Sequence, residues 1–213
     1  MNKTDQMQAW STTFGQEYTQ RNLRTPYEMD TLFRENLGIS RIDLNREFLC
    51  SLDRSIRILE VGANVGTQLM ILQNMGFEDL TGIELQHHAL ELAKKRTKSV
   101  RLFQATAFDL PFEDRCFDLV FTSGVLIHIH PHDIGKALDE IHRCTRRYIW
   151  GYEYYNRDYE NIIYRGKKDL LWKADFARIY RERFPDLEIV NEKHYKYLKS
   201  EAVDSMFLLR KAV

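Results

Sequence analysis

The stretch Glu60-Val61-Gly62-Ala63-Asn64-Val65-Gly66 constrains this chain more than any other. It closes an apolar run, Ile56 to Val61, and precedes Thr67 to Met75, where apolar residues recur at helical spacing. A strand that feeds a glycine turn and then a helix begins a βαβ unit. Gly62 and Gly66 remove side chains where backbone has to turn tightly and approach a ligand, and a helix starting near Thr67 offers free N–H groups there. The alternation continues with a strand at Leu80 to Leu85, a helix at Ala89 to Arg96, and strands at Val100 to Thr106 and Phe117 to Ser123. A helix opened by Pro131 runs to about Arg143, and a fifth strand covers Tyr148 to Glu153. Such alternation predicts an α/β chain with a mostly parallel, doubly wound sheet that carries helices on both faces.

Beyond the alternating part, Lys173 to Phe184 reads as helix, while Leu187 to Tyr195 and Ser205 to Lys211 read as a strand pair giving an antiparallel C-terminal strand. Ahead of it, amphipathic segments at Gln8 to Asn22 and Tyr27 to Leu37, with Pro26 between them, predict N-terminal helices. The reading is one domain over 1–213: an N-terminal helical lid at 1–50, a ligand-binding core at 56–150 and an acceptor-shaping part at 151–213.

Charge narrows the partners. Lys plus Arg and Asp plus Glu each total 31, so no global field draws the chain to nucleic acid or to an anionic membrane. A small-molecule partner is expected, with no nucleic acid, no membrane, and a monomeric or homodimeric chain. Cys50, Cys116 and Cys144 form no CxxC pair, and the polar stretch Met1 to Trp10 lacks an apolar signal core. Reduced thiols and a cytoplasmic location are the expectation.

The acid that answers the glycine turn is Glu84, eighteen residues after Gly66 at the end of the second strand. There a carboxylate accepts hydrogen bonds from the vicinal hydroxyls of a ribose. A dinucleotide site needs G-x-G-x-x-G, yet Asn64 and Thr67 occupy its second and third glycine positions. Glu60 is also an acid where a pyrophosphate would be repelled and a methionine α-ammonium welcomed. These residues together point to S-adenosylmethionine, with S-adenosylhomocysteine as product.

The combination resembles the class I methyltransferase superfamily: "EVGANVG" is similar to its glycine motif, "GIEL" to its ribose-binding acid and "FDLVFTSGVLIHI" to its fourth strand. The resemblance covers roughly Arg57 to Ile149. It implies a Rossmann-like, doubly wound, mostly parallel seven-stranded sheet in which Glu60, Gly62 and Asn64 line the methionine and ribose side and Glu84 holds the ribose, with Gly66 of the same turn also at the cofactor. Leu85, Ala107 and Phe108 then flank the adenine, with Thr106 and Ser123 among the cofactor contacts. Thr106 departs from the aspartate often found there, which shifts adenine recognition to backbone groups or Asp109. Outside the core, "FGQEYTQRN", "GVLIHIHP" and "EYYNRDYENIIYRGKKDLLWKADFARIY" resemble the small methylases associated with pseudaminic acid biosynthesis. That likeness rests on Tyr154, Tyr155, Tyr164, Arg165, Gly166, Lys173, Asp175 and Phe176, and it implies an acceptor related to nonulosonic acid sugars or their precursors. Where that family carries paired acids before its last strand, this chain has Asp204 followed by Ser205.

Methyl transfer from a sulfonium is an in-line displacement, so a protein mainly aligns the partners and takes a proton when the acceptor is a hydroxyl. His128, just past the fourth strand, is the candidate base; the competing reading is a ring that caps the next helix or fills a corner. Tyr154 orients a polar acceptor or packs its strand, and Arg165 holds an acceptor anion or is simply solvated. Phe14 and Tyr18 read as lid aromatics or as a helix stripe. His128, His130 and His132 alternate, but Pro131 breaks the extended geometry a metal site needs, so no metal is expected. Two other functions stay open: methylation of RNA or other nucleic acid, and a non-catalytic S-adenosylmethionine-binding module.

Overall fold

A computed structural model describes residues 4–212; Met1 to Lys3, within the polar amino terminus read above, and Val213 lie outside the described residues. Backbone contacts divide the chain into two compact units, one running to Thr106 and one starting at Ala107.

The first unit carries four helices, α1 (Asp5–Trp10), α2 (Thr13–Arg21), α3 (Pro26–Leu37) and α4 (Arg41–Leu49). There follow β1 (Ile58–Val61), α5 (Thr67–Asn74), β2 (Leu80–Glu84), α6 (His87–Arg96) and β3 (Arg101–Gln104). The segment read as one helix from Gln8 to Asn22 is two. The Ser11 hydroxyl donates to Met7 O and the Thr12 hydroxyl to Ala9 O, each at 2.7 Å, which closes the last turn of α1 and stops it. Pro26 takes the first position of α3 inside a capping box between Thr25 and Glu28, and Gly38, at φ 77°, ends it. Helix α4 was not read from the sequence, although Leu44, Phe48 and Leu49 are all buried on one face.

In the second unit β4 (Phe117–Ser123) leads through a 3-10 turn (Leu126–His128) to α7 (Ile134–Cys144) and β5 (Thr145–Tyr154). Then come short strands β6 (Glu160–Asn161) and β7 (Trp172–Lys173), α8 (Phe176–Arg183), β8 (Leu187–Lys196) and β9 (Val203–Lys211). Helix α7 buries Ile134, Ala137, Leu138, Ile141 and Cys144, one stripe at helical spacing. Two expected helix starts are corrected. Pro131 lies in the turn before α7, where His130 O accepts the Asp133 and Ile134 N–H groups. Lys173 belongs to β7, and α8 starts later because the Asp175 side chain caps it, accepting from Arg178 N at 2.9 Å.

The strand order is β3-β2-β1-β4-β5-β9-β8. Pairs β1/β2, β2/β3 and β4/β5 are parallel, and β9 runs antiparallel to both β5 and β8. This is the Rossmann-like, mostly parallel seven-stranded sheet with an antiparallel C-terminal strand. Among the described residues no helix is long and apolar enough to cross a membrane.

Gly66 shows how tightly the first unit is built. It holds φ +77°, and a Cβ there would meet Thr97 Cγ2 at 2.7 Å and Ala93 Cβ at 3.6 Å, so the start of α5 lies directly on α6. Gly66→Ala is expected to cost about 2 kcal/mol through left-handed strain and crowding. Urea unfolding would show it as a lowered midpoint at unchanged slope; coincident midpoints would count against this packing.

Candidate functional site

In the first unit, the turn after β1 hangs from β2 by its backbone. Gly62 N and Ala63 N both donate to Ile83 O, at 2.9 and 2.8 Å. Gly62 at φ 78°, Asn64 at φ 46° and Gly66 at φ 77° are all left-handed, a path only glycine and asparagine tolerate readily. Glu84 then stitches the two strand ends together. Its Oε2 accepts Asn64 N and its Oε1 accepts Gln86 N, both at 2.8 Å, and Leu85 N adds a third bond. Glu60, Gly62, Asn64, Gly66 and Glu84 are therefore brought to one rim, the carboxyl ends of β1 and β2, where an open α/β sheet binds its ligand.

That rim is polar and buried. Glu60 is 3% exposed and Glu84 7% exposed. Burial pushes the Glu60 carboxyl well above the usual carboxylate range; Arg41 opposes the shift and neighbouring Glu84 adds to it. Burial raises Glu84 as well, against its backbone donors. Buried polar atoms along this rim without a protein partner include Glu60 Oε2 on β1, Asn64 Oδ1 in the turn, Gln68 Nε2 in the first turn of α5 and Gln86 Oε1 just past β2. Buried polar atoms are normally paired, so this group is a site that a polar ligand would satisfy.

Arg41, at the start of α4, was missed by sequence reasoning. It is 2% exposed, donates from Nε to Asn45 Oδ1 at 3.2 Å and lies 5.1 Å from the Phe33 ring centre. The segment between α2 and α3 is tied to the same rim: Arg24 O accepts from the Thr67 hydroxyl at 2.8 Å and from the Arg96 guanidinium. Phe14 and Tyr18 both pack edge-on against Trp10, with ring centres 5.2 and 5.0 Å away, an aromatic cluster of α1 and α2. Leu85 and Thr106, expected at the adenine, are half-buried in this unit, whereas Ala107, buried Phe108 and half-buried Ser123 belong to the second.

The second unit gathers His128, Tyr154, Tyr164 and Asp204. His128 Nδ1 is 2.7 Å from Leu170 O. A carbonyl only accepts, so Nδ1 carries the proton and Nε2 keeps its lone pair. Burial lowers the imidazole to about 4, which keeps it neutral. The Tyr164 ring centre lies 5.9 Å away. Asp204, 1% exposed on β9, accepts from the Tyr152 hydroxyl and, at 3.0 Å, from the Tyr197 hydroxyl. Tyr154, opposite Asp204 in the sheet register, is pushed up to about 12 by burial and then by the Asp204 charge.

Arg165 follows Tyr164 in the chain. With Gly166 it forms the left-handed tip of a two-residue hairpin turn closed by the paired Tyr164 and Lys167 backbones, and it is exposed. Lys173 is half-buried on β7, and Tyr155 lies against His194 with ring centres 3.9 Å apart. His130 and His132 stack on each other, and no metal-holding group of three or more His, Cys, Asp or Glu occurs among the described residues.

Residues 59–148 match the family model described as a methyltransferase domain. An O-methyltransferase of Aspergillus nomiae is 33% identical over 99 residues, 44% of this chain and 43% of that protein. The chain spans less than half the length of the curated relatives it matches. Among solved structures, a Burkholderia thailandensis 1,6-didemethyltoxoflavin-N1-methyltransferase with bound 1,6-didemethyltoxoflavin and S-adenosylhomocysteine is similar at TM-score 0.67. It is 18% identical and covers 94% of this chain and 90% of its own. The [4+2]-cyclase SpnF is similar at TM-score 0.65 and 16% identity, over 81% and 80% of the two chains. These structural likenesses bear on the fold.

Proposed function

We propose that this chain is an S-adenosylmethionine-dependent methyltransferase acting on a small, sugar-derived acceptor. The observation that carries the reading is the rim of unpartnered buried polar atoms at Glu60, Asn64 and Gln68, stitched by Glu84 to the left-handed glycine turn. The residues fit the cofactor. Glu60, buried and short of a partner, takes the α-ammonium, which restores the charge that burial suppresses. Arg41 supplies the opposite charge for the carboxylate of the same amino-acid part. Glu84 has lone pairs left beyond its backbone donors and takes the ribose hydroxyls. Leu85 and Thr106 serve the adenine, and the roles of Ala107, Phe108 and Ser123 follow from the superfamily resemblance. When bound, the cofactor supplies a sulfonium methyl group to an in-line nucleophile.

For a hydroxyl acceptor, His128 Nε2 receives the proton. An imidazole near 4 is a weak base, but the acceptor oxygen becomes strongly acidic as it gains its methyl group, so a weak base that is neutral before the transfer suffices. Tyr154, held protonated, donates a hydrogen bond to an acceptor oxygen, and Arg165 is available to an acceptor carboxylate. The acceptor class, a nonulosonic acid sugar or a sugar-nucleotide precursor, is supported by the "EYY", "YRG" and "KADF" elements of 153–176. An O-methyltransferase relative and a methyltransferase neighbour solved with 1,6-didemethyltoxoflavin bound are in keeping with a small acceptor. Because folds host many chemistries, and a cyclase shares this one, the activity needs its own test.

The test is titration calorimetry with S-adenosylmethionine and S-adenosylhomocysteine, followed by tritium transfer to sugars, sugar nucleotides and RNA. Saturable binding of both, with transfer to a sugar class alone, is expected. Binding without transfer to anything would leave a non-catalytic module, transfer to RNA would replace the acceptor, and no binding at millimolar ligand would end the reading.

A further inference from the structure

Glu153 has no part in the chemistry above, yet it is the most thoroughly enclosed acid of the second unit, 0% exposed within β5. Its carboxylate is the acceptor for the turn that carries His128. Oε1 takes Val125 N at 3.2 Å, Oε2 takes Ile127 N at 3.4 Å, and Leu126 N and the Thr122 hydroxyl also donate. Three successive backbone N–H groups aimed at one point form a nest, a concavity that holds an anion. Here the chain fills that nest with its own side chain.

The consequence falls on His128, the last residue of the 3-10 turn. Its backbone N donates to Val125 O at 2.9 Å, inside the same turn, and its ring is held at the far side by Leu170 O. With one end of the turn held by Glu153 and the ring held by Leu170, the direction of Nε2 is determined twice. We propose that Glu153 is a positioning residue: by occupying the Val125–Ile127 nest it sets the orientation of the His128 imidazole and so keeps Nδ1 on Leu170 O, the contact that fixes the tautomer. This rests on the reading of His128 as proton acceptor. The titratable groups around Glu153 are Tyr154 on its own strand and Tyr180 of α8; Tyr164 faces the His128 ring.

The test reads the histidine itself, so no acceptor is needed. Long-range 1H–15N spectra would be recorded on the full chain and on Glu153→Gln and Glu153→Ala, with His128→Gln to assign the ring. The unsubstituted protein is expected to show a neutral ring with the proton on Nδ1 at pH 5.5 to about 7, below and near the ordinary histidine pKa. In Glu153→Ala the His128 midpoint should rise by at least ~1 pH unit toward the ordinary value, with mixed tautomers, and Glu153→Gln, which keeps one acceptor oxygen, should fall between. Amide signals of α5 and an unchanged S-adenosylhomocysteine titration would show that the first unit is intact. His128 signals at their original positions in a folded Glu153→Ala chain would overturn the proposal. A ring found protonated on Nε2 in the unsubstituted protein would instead end the proton-acceptor reading, leaving the shift on substitution to judge Glu153. Should both variants unfold, amide exchange in the unsubstituted chain decides: slow exchange of Val125, Leu126 and Ile127, matching β4, is expected, and fast exchange refutes a filled nest.

Discussion

Replacing Glu84 by alanine is expected to cost the protein about 3 to 6 kcal/mol of stability, because three backbone donors lose their acceptor, at about 1–3 kcal/mol for a buried donor and toward the lower end for the part-buried Asn64 N. The donors are Asn64 N, Gln86 N and Leu85 N, all bonded to the one carboxylate. Against the 5–15 kcal/mol that holds a typical domain together, this is a large fraction, and it would appear as a strongly lowered urea midpoint. Glu84→Gln separates the stitching role from ligand binding. The amide keeps one acceptor oxygen and the shape of the side chain, so most of the fold energy survives, while its NH2 end faces donors and the charge toward ribose hydroxyls is gone. Affinity for S-adenosylhomocysteine should then fall by roughly 1.5–3 kcal/mol, the worth of hydrogen bonds to a charged group. A Glu84→Ala chain with the unaltered midpoint would refute the stitch, and a Glu84→Gln chain with unaltered affinity would remove Glu84 from the ribose.

The same carboxylate explains why this rim was legible in the sequence. A strand, a turn needing positive φ and an acid at the next strand end each leave a mark in the residue letters: an apolar run, glycines at Gly62 and Gly66, and Glu84 closing "TGIE". The strand alternation was legible for the same reason, since buried parallel strands are nearly continuous apolar runs. What escaped was fixed by single side-chain bonds or by elements too short to show a period. The break between α1 and α2 is made by the Ser11 and Thr12 hydroxyls, and β6 and β7 have two residues each. Arg41 and Glu153 escaped because a charged letter ordinarily means an exposed position. Glu153 did carry a signal: it interrupts Ile149 to Tyr154, an otherwise apolar and aromatic strand, and an acid there needs donors to be tolerated. Asp204, just ahead of Met206 to Leu209, is the same case, a carboxylate on a core strand answered by two phenols.

Burial of His128 and Glu153 in one unit leads to an expected pH profile with opposing limbs. His128 is lowered from 6.5 to about 4, so its contribution is complete above 6.5 and is lost as pH falls toward 4, where only the unfolded chain takes the proton readily. Glu153 is raised from 4.5 to about 7, so its contribution is complete below 4.5 and is lost as pH rises toward 7, where only the unfolded chain ionises readily. Each shift corresponds to about 3 kcal/mol over its window. Between 4.5 and 6.5 the two slopes have opposite sign and nearly offset one another. Removing either group should expose the other. Relative to the unsubstituted chain, His128→Gln should lose stability steadily from pH 4.5 to about 6.5, the span in which the histidine no longer compensates the glutamate. Glu153→Gln should show the reverse, gaining stability over that span relative to the parent, whatever fixed offset the lost hydrogen bonds impose. Urea titrations at half-unit pH steps read both differences; the other titrating groups are common to the three proteins, and the Glu153→Gln difference also carries the rise of the His128 midpoint expected in that variant, which narrows the histidine limb without changing the sign. Two variants whose profiles run parallel to the parent would show that neither group titrates abnormally in the folded chain, and a Glu153→Gln profile alone parallel would place the Glu153 carboxyl at an ordinary pKa, its charge fully balanced by the nest.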